Sequence, residues 1–254
     1  TKICSQQKVY TKSSTIFSLM TGTKTDFLTH SAFDYKSIIF DFDSTIIKTE
    51  SLDKLAQSAL ADHPNQKTIL GKIQAITVAG MNGEIPFDES LPQRIKLFSA
   101  NQALIQKIGT ALIKDISDSF HQNRQWIKTN AEWIYVVSGG FREILLPACI
   151  DLGFKENHIF GNELFYDTNG QITGINKKNP LSQVHGKALL LASLSLPKPI
   201  AVIGDGMTDF EIVEQGQGDV FFAFTENIRR PLVVEKSYLP LHSLNGFIKY
   251  FQIS

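Results

Sequence analysis

Asp41 and Asp43 stand two residues apart in Asp41-Phe42-Asp43-Ser44-Thr45, directly after the apolar run Ser37–Phe40. Residues two apart on an extended chain point the same way, so both carboxylates can face one pocket. Side by side they repel, and the repulsion is relieved when a divalent cation binds or when one of them keeps its proton. Both conditions suit phosphoryl transfer. Asp41 would be the nucleophile, and Asp43 the acid that protonates the leaving alcohol and then the base that activates water. By itself the spacing favours a solvated turn. Gly204-Asp205-Gly206-Met207-Thr208-Asp209, after another apolar run, shifts that balance. Its glycines let the backbone approach a ligand, Asp205 can complete an octahedral oxygen site for Mg²⁺, and Asp209 lies one helical turn further on.

Two further groups could serve a phosphate. Ser138-Gly139-Gly140-Phe141-Arg142 offers a hydroxyl and free backbone N–H groups at an expected helix start, where the helix dipole favours an anion. Lys187, early in the helix after Pro180, could neutralise phosphate oxygens while restraining Asp41, although a lone lysine is far more often a surface charge. Together these residues supply a nucleophile, an acid/base, a cation site, a phosphate cradle and a fixed positive charge. Phosphate monoester hydrolysis needs them all, since enzymes accelerate it by up to about 10²¹. Competing chemistries find no support: the six histidines lie in unrelated contexts, and neither Gly-x-Ser-x-Gly nor the lysine-bearing glycine loop of nucleotide triphosphatases occurs.

The elements that must position these groups alternate between strand and helix. Ser37–Phe40, Trp133–Val137, Ile200–Ile203 and Val220–Phe224 are short apolar runs that end in small or acidic residues, as buried central strands do. Between them, Ile144, Leu145 and Ala148, and later Ala188, Leu189, Leu191 and Ala192, have helical spacing. Strand alternating with helix predicts a parallel sheet covered on both faces, with ligands outside the carboxyl ends of the strands. From about Leu52 to Ile127 only helices are expected. Leu52, Leu55, Ala56, Ala59 and Leu60 mark one that Pro64 stops, and Leu104, Ile105, Ile108, Leu112, Ile113 and Ile116 mark another. This stretch reads as an inserted cap. Asp167-Thr168-Asn169-Gly170 reads as the tight turn of a β-hairpin, with Asn-Gly supplying positive φ angles.

The ordered set Asp-x-Asp-Ser-Thr, Ser-Gly-Gly-Phe, Lys and Gly-Asp-Gly-x-Thr-Asp resembles the haloacid dehalogenase superfamily of phosphatases, and within it the phosphoserine phosphatase family, from about Tyr35 through Phe247. The resemblance implies an α/β, Rossmann-like core at residues 35–50 and 129–254, a helical cap at 51–128 after the first strand, and an N-terminal extension at 1–34. It implies Mg²⁺ held by the Asp41 carboxylate, the Asp43 backbone carbonyl and Asp205, with Asp209 in support, and a phosphoryl group bound by Ser138, Gly139 and Lys187. The implied substrate is O-phospho-L-serine: Glu50 would meet the ammonium and Arg94 the carboxylate, within a cap segment that includes Met81 and Phe87, and Thr208 would add a hydrogen bond. A glutamate for an ammonium and a two-pronged arginine for a carboxylate make physical sense. Asn82 departs from the glycine usual in that segment and would narrow the pocket. Another small phosphomonoester, a protein phosphoresidue and a catalytically silent binding module of the same fold stay open as alternatives.

Composition sets the outer bounds. Lys plus Arg and Asp plus Glu are 25 each, a balance with no general field for nucleic acid or an anionic membrane, so any anion must be held by a local site; the partner that the resemblance implies is a small-molecule phosphomonoester. Monomer and homodimer both stay open. Cys4 and Cys149 have no Cys or His neighbours at metal-ligand spacing, which fits a cytoplasmic, reducing setting better than a disulfide framework or a zinc site. No apolar run approaches the roughly 20 residues of a membrane-spanning helix. The first 25 residues hold four lysines, no acid and no arginine, so a transit peptide is the minority reading. Because the chain opens on Thr1 rather than on Met, its natural start is expected upstream.

Overall fold

The structure is a computed structural model that describes residues 33–253, so nearly all of the predicted N-terminal extension lies outside the described residues. At its centre runs a parallel sheet of five strands. In chain order these are β1 (Ser37–Phe40), β2 (Ile134–Phe141), β3 (Ile159–Asn162), β6 (Ile200–Gly204) and β7 (Val220–Ala223); β4 (Leu164–Tyr166) and β5 (Ile172–Ile175) form a separate antiparallel hairpin. The strand order is β3-β2-β1-β6-β7. Both neighbours of β1 are parallel to it, with Phe40 level with Val136 on one side and Ile203 on the other. That register brings Asp41, Ser138 and Asp205 to one edge of the sheet.

The strands form because both faces are covered. Ile38, Ile39 and Phe40 are at most 1% exposed, and every residue of β6 is buried, which is why these runs are continuously apolar instead of alternating. Each such side chain contributes roughly 1.5–3 kcal/mol by leaving water. Helices α7 (Arg142–Leu152), α8 (Gly186–Leu194) and α9 (Met207–Glu214) follow β2, the hairpin and β6 in the expected alternation. Phe40 meets Phe120 and Phe154 edge-on at 5.3 and 6.1 Å, closing the core beneath β1.

Sequence and structure part at several places. The strand Ile159–Asn162 was not among those expected, because His-Ile-Phe-Gly-Asn is too short and too mixed to stand out. Strand β2 runs on through Ser138, Gly139 and Gly140, and its helix begins only at Arg142. In the hairpin, Gly170 alone takes a positive φ, at 74°; Asn169 does not. The Asp167 carboxylate accepts from the backbone N–H groups of Asn169 and Gln171, so the turn is closed by a side chain and not by paired left-handed residues.

The helical stretch begins with α1 (Ser51–Ala59), α2 (Gln66–Met81) and α3 (Phe87–Ile95), and continues with α4 (Gln102–Ala111), α5 (Asp118–Gln122) and α6 (Arg124–Thr129). Helix α4 ends sooner than its spacing suggests, passing into a short 3₁₀ turn at Leu112–Asp115 that leaves Ile116 outside. Gly109 of α4 lies against Pro147 and the Glu143 carbonyl of α7, and Phe120 of α5 against Phe224 at 5.7 Å, so this second half packs along the core. The residues that reach the edge with Asp41 come from α1, α2 and α3.

Candidate active site

Asp41 follows β1, 4% exposed, and its Oδ1 accepts from the Phe42 backbone N–H at 2.7 Å and from Lys187 Nζ at 2.8 Å. Asp43 turns toward α1: its Oδ1 accepts from Ser51 N at 2.6 Å and its Oδ2 from the Ser51 hydroxyl at 3.0 Å. Between the acids and α1 the chain makes a tight turn in which Ser44 takes φ = 53°, a left-handed conformation unusual for a residue with a side chain. Partners on three sides hold it. The Ser44 hydroxyl donates to Glu50 Oε1 at 2.8 Å, its backbone N–H to the Thr49 carbonyl at 3.1 Å, and its carbonyl accepts from Asn227 Nδ2 at 3.0 Å.

Lys187 bridges two carboxylates, with Nζ 2.7 Å from Asp209 Oδ1 as well as 2.8 Å from Asp41. Burial pulls its pKa down, but Asp209 and Asp41 outweigh burial and the ammonium ends above the ordinary lysine range. Asp209 Oδ2 accepts from Gly206 N at 3.1 Å, which fixes the carboxylate at the start of α9. Asp205 follows β6; Arg230 Nε donates to its Oδ2 at 2.9 Å, while its Oδ1 is buried with no hydrogen-bond partner among the described residues. One carboxylate oxygen each of Asp41, Asp205 and Asp209 lie within 4.8 Å of one another. A buried cluster of hard oxygen donors, one of them an orphan, fits Mg²⁺, which prefers oxygen ligands and can occupy a site with few protein ligands. The crowding also shows in the acids themselves. Burial, with Asp41 next, raises Asp43 to about 7; burial, with Glu50 and Asp41, raises Asp205 to about 7; burial, with Asp41, raises Asp209 to about 8.

A cavity of about 230 Å³ opens over these groups and is lined by Asp41, Asp43, Lys187, Ser138, Gly139 and Thr208 from the core. From the cap side it is lined by Glu50, Met81, Phe87 and Arg94. Thus the acids, Lys187 and the substrate-binding residues expected from the sequence line one cavity, except Asp205 and Asp209, which stand beside Asp41; Asn82, expected to narrow the pocket, is not among the lining residues, and its Nδ2 donates to Glu84 Oε1 at 3.1 Å. The Ser138 hydroxyl accepts from Gly140 N at 2.9 Å. Phe87 lies so close over Gly139 that a Cβ there would come within 2.5 Å of its Cζ. Arg94 is 5% exposed, with Nη1 donating to Thr77 Oγ1 at 3.3 Å and Nε to the Ser90 carbonyl at 3.4 Å. Glu50, expected to face a substrate ammonium, here accepts from Ser44 and lies 3.7 Å from Arg230 Nη2.

Arg230, Ser51, Thr77 and Asn227 are parts of the site that sequence reasoning missed. Arg230 carried a faint signal: Arg229-Arg230-Pro231 follows the last apolar strand, so its loop leaves the same edge of the sheet as Asp41 and Asp205. The others carry none, because serine, threonine and asparagine are ordinary in loops and at helix ends.

A family model described as haloacid dehalogenase-like hydrolase matches residues 38–214. The chain belongs to the haloacid dehalogenase-like hydrolases. Within these hydrolases, the chloroplastic phosphoserine phosphatase of Arabidopsis thaliana is 30% identical over 193 residues, 74% of this chain and 62% of that protein. The chain therefore spans less than two thirds of the plant protein's length. The mouse phosphoserine phosphatase is 26% identical over 204 residues, 79% of this chain and 86% of that one. A phosphoserine phosphohydrolase-like protein from Francisella tularensis superposes with a TM-score of 0.77 at 29% identity, covering 85% of this chain and all of that one. No helix among the described residues is long and apolar enough to cross a membrane.

Proposed function

We propose that the chain is a Mg²⁺-dependent phosphomonoesterase that hydrolyses O-phospho-L-serine to serine and phosphate through an aspartyl-phosphate on Asp41. One observation carries the reading: a single cavity is lined both by Asp41 and Lys187 and by the buried cation of Arg94. The two polar contacts that the Asp41 carboxylate makes among the described residues fall on Oδ1, which leaves Oδ2 for attack on phosphorus. As the Oδ2–P bond forms, the ester P–O bond breaks, and the departing serine oxygen takes the proton of Asp43, whose raised pKa keeps one available near neutrality. Asp43 then takes a proton from water, the water oxygen bonds to phosphorus, and the P–Oδ2 bond breaks to restore Asp41. Lys187 holds positive charge beside the transferring group throughout, and the Ser138 hydroxyl and Gly139 backbone cradle its oxygens. Asp41, Asp205 and Asp209 are the carboxylates that would hold Mg²⁺, with the Asp43 carbonyl. When bound, the ion neutralises charge on the phosphoryl oxygens.

The relatives named as phosphoserine phosphatases support the substrate, and Arg94 and Glu50 are the groups that would read its carboxylate and ammonium. A cytoplasmic setting belongs to the same reading and rests on the two cysteines and their lack of metal-ligand neighbours. The test is phosphate release from O-phospho-L-serine with Mg²⁺ by the wild type, Asp41→Asn and Arg94→Ala. Asp41→Asn should be inactive. Arg94→Ala should lose phosphoserine turnover through KM and keep p-nitrophenyl phosphate turnover. Equal rates for the wild type and Asp41→Asn would end the enzymatic reading; an Arg94→Ala variant that keeps its KM for phosphoserine would end the choice of substrate.

A further inference from the structure

Arg94 is buried, yet it makes no ion pair of its own among the described residues; what fixes it is a hydroxyl. Thr77 Oγ1, in α2, accepts from Arg94 Nη1 at 3.3 Å and lies 3.2 Å from Asp53 Oδ1, in α1. The one proton of the Thr77 hydroxyl is shared between Asp53 Oδ1 and the Ile73 carbonyl, 3.0 Å away one turn back. Helices α1, α2 and α3 thus meet at one threonine that is 4% exposed. Asp53 stands one turn after Glu50 and two residues after Ser51, so the helix that carries it is the one whose first residue holds Asp43. Burial works against charge on both Asp53 and Arg94; Arg94 offsets part of that penalty for Asp53, and the charges of Glu50 first and Asp53 next offset part of it for Arg94.

Nη2 of Arg94 has no protein partner among the described residues, and the side chain lines the cavity. A guanidinium tied at Nε and Nη1 keeps its plane and direction, so its remaining donors meet an anion without first being ordered. We propose that Asp53, acting through Thr77, is a positioning residue that aims Arg94 at the carboxylate of the substrate. The inference rests on the substrate class proposed above. It assigns part of the selectivity to α1, so the helix that starts on the acid Asp43 also sets the group that reads the far end of the substrate.

The experiment compares Asp53→Asn, Thr77→Val and Thr77→Ser on O-phospho-L-serine and on phosphoethanolamine, which has the same ester and ammonium but no carboxylate. Asp53→Asn and Thr77→Val should raise KM for phosphoserine about tenfold with kcat nearly kept, leave KM for phosphoethanolamine within about twofold, and Thr77→Ser should behave as wild type. A second readout needs no substrate: the Nε–H of Arg94, followed by NMR, should exchange with water slowly in the wild type and faster in both damaging variants. Equal losses on the two esters, or an Arg94 Nε–H whose exchange is unchanged, would overturn the positioning role. A wild type that does not prefer phosphoserine to phosphoethanolamine would instead sink the substrate reading, and the exchange measurement would still decide the role of Asp53.

Discussion

Asp43 accepts two hydrogen bonds from Ser51, one from its backbone N–H at 2.6 Å and one from its hydroxyl at 3.0 Å. The carboxylate thereby satisfies one of the unpaired N–H groups at the start of α1, and the helix start in turn holds the carboxylate over the cavity. Both bonds favour the charged form. Burial and the Asp41 charge outweigh them and leave Asp43 at about 7.

Ser51→Ala removes one of the two bonds and should raise the Asp43 pKa further. Because the acid form is needed for the first step, the limb of kcat/KM that falls as pH rises should move to higher pH, and kcat should fall by about tenfold, the worth of one hydrogen bond to a charged group. A pH profile of phosphate release checks this; an unmoved limb would detach Ser51 from the acid.

Without metal, the acid cluster should make stability fall as pH rises. Asp43 and Asp205 lie at about 7 and Asp209 and Glu50 at about 8 when folded, all above the ordinary carboxylate range, with burial the first cause of each. Between about pH 4 and 8 the folded state therefore binds more protons than the unfolded state, so the contribution is full below that window and is lost across it. Thermal melts in chelator should show a lower Tm at pH 8 than at pH 6, and added Mg²⁺ should raise Tm more at pH 8. A Tm in chelator that is higher at pH 8, with no gain from Mg²⁺, contradicts the placement of a cation among these acids.

Lys187→Met should strand two buried carboxylates. Removing one partner of a buried ion pair typically costs about 3–5 kcal/mol. Urea unfolding should give a loss of that order without metal and a smaller one with Mg²⁺, because a cation beside Asp41 and Asp209 substitutes part of the missing charge. Turnover should be lost in both conditions. Near-normal turnover by this variant would remove Lys187 from the reacting centre.

Gly139→Ala tests how the cap meets the core. A Cβ at Gly139 falls 2.5 Å from Phe87 Cζ, so the ring must move from its place over the cavity. Displacing positioning groups by about 1 Å lowers reactivity by about a hundredfold, and kcat/KM for phosphoserine should fall by that order while Tm changes little. An unchanged kcat/KM would mean that the ring gives way without consequence.

How much of this is legible in the sequence depends on the range over which each interaction acts. The acids Asp41, Asp43, Asp205 and Asp209 and the strands before Asp41 and Asp205 are written locally: an apolar β-branched run must be buried, and polar residues that directly follow it must emerge at the sheet edge. Spacing along one chain segment suffices for that, and it suffices for α1 and most of α4. The tertiary structure alone decided that Lys187 bridges Asp41 and Asp209, that Arg230 reaches Asp205, and that Thr77 joins Asp53 to Arg94. These partners lie 17 to 146 positions apart in the pairs Thr77–Arg94 and Lys187–Asp41, and a hydrogen bond depends on distances of about 3 Å that no spacing rule along the chain encodes. The sequence determined which residues could do chemistry and at which edge they would emerge. Packing of the sheet and helices determined which of them touch, because only packing fixes the distances over which charges and hydrogen bonds act.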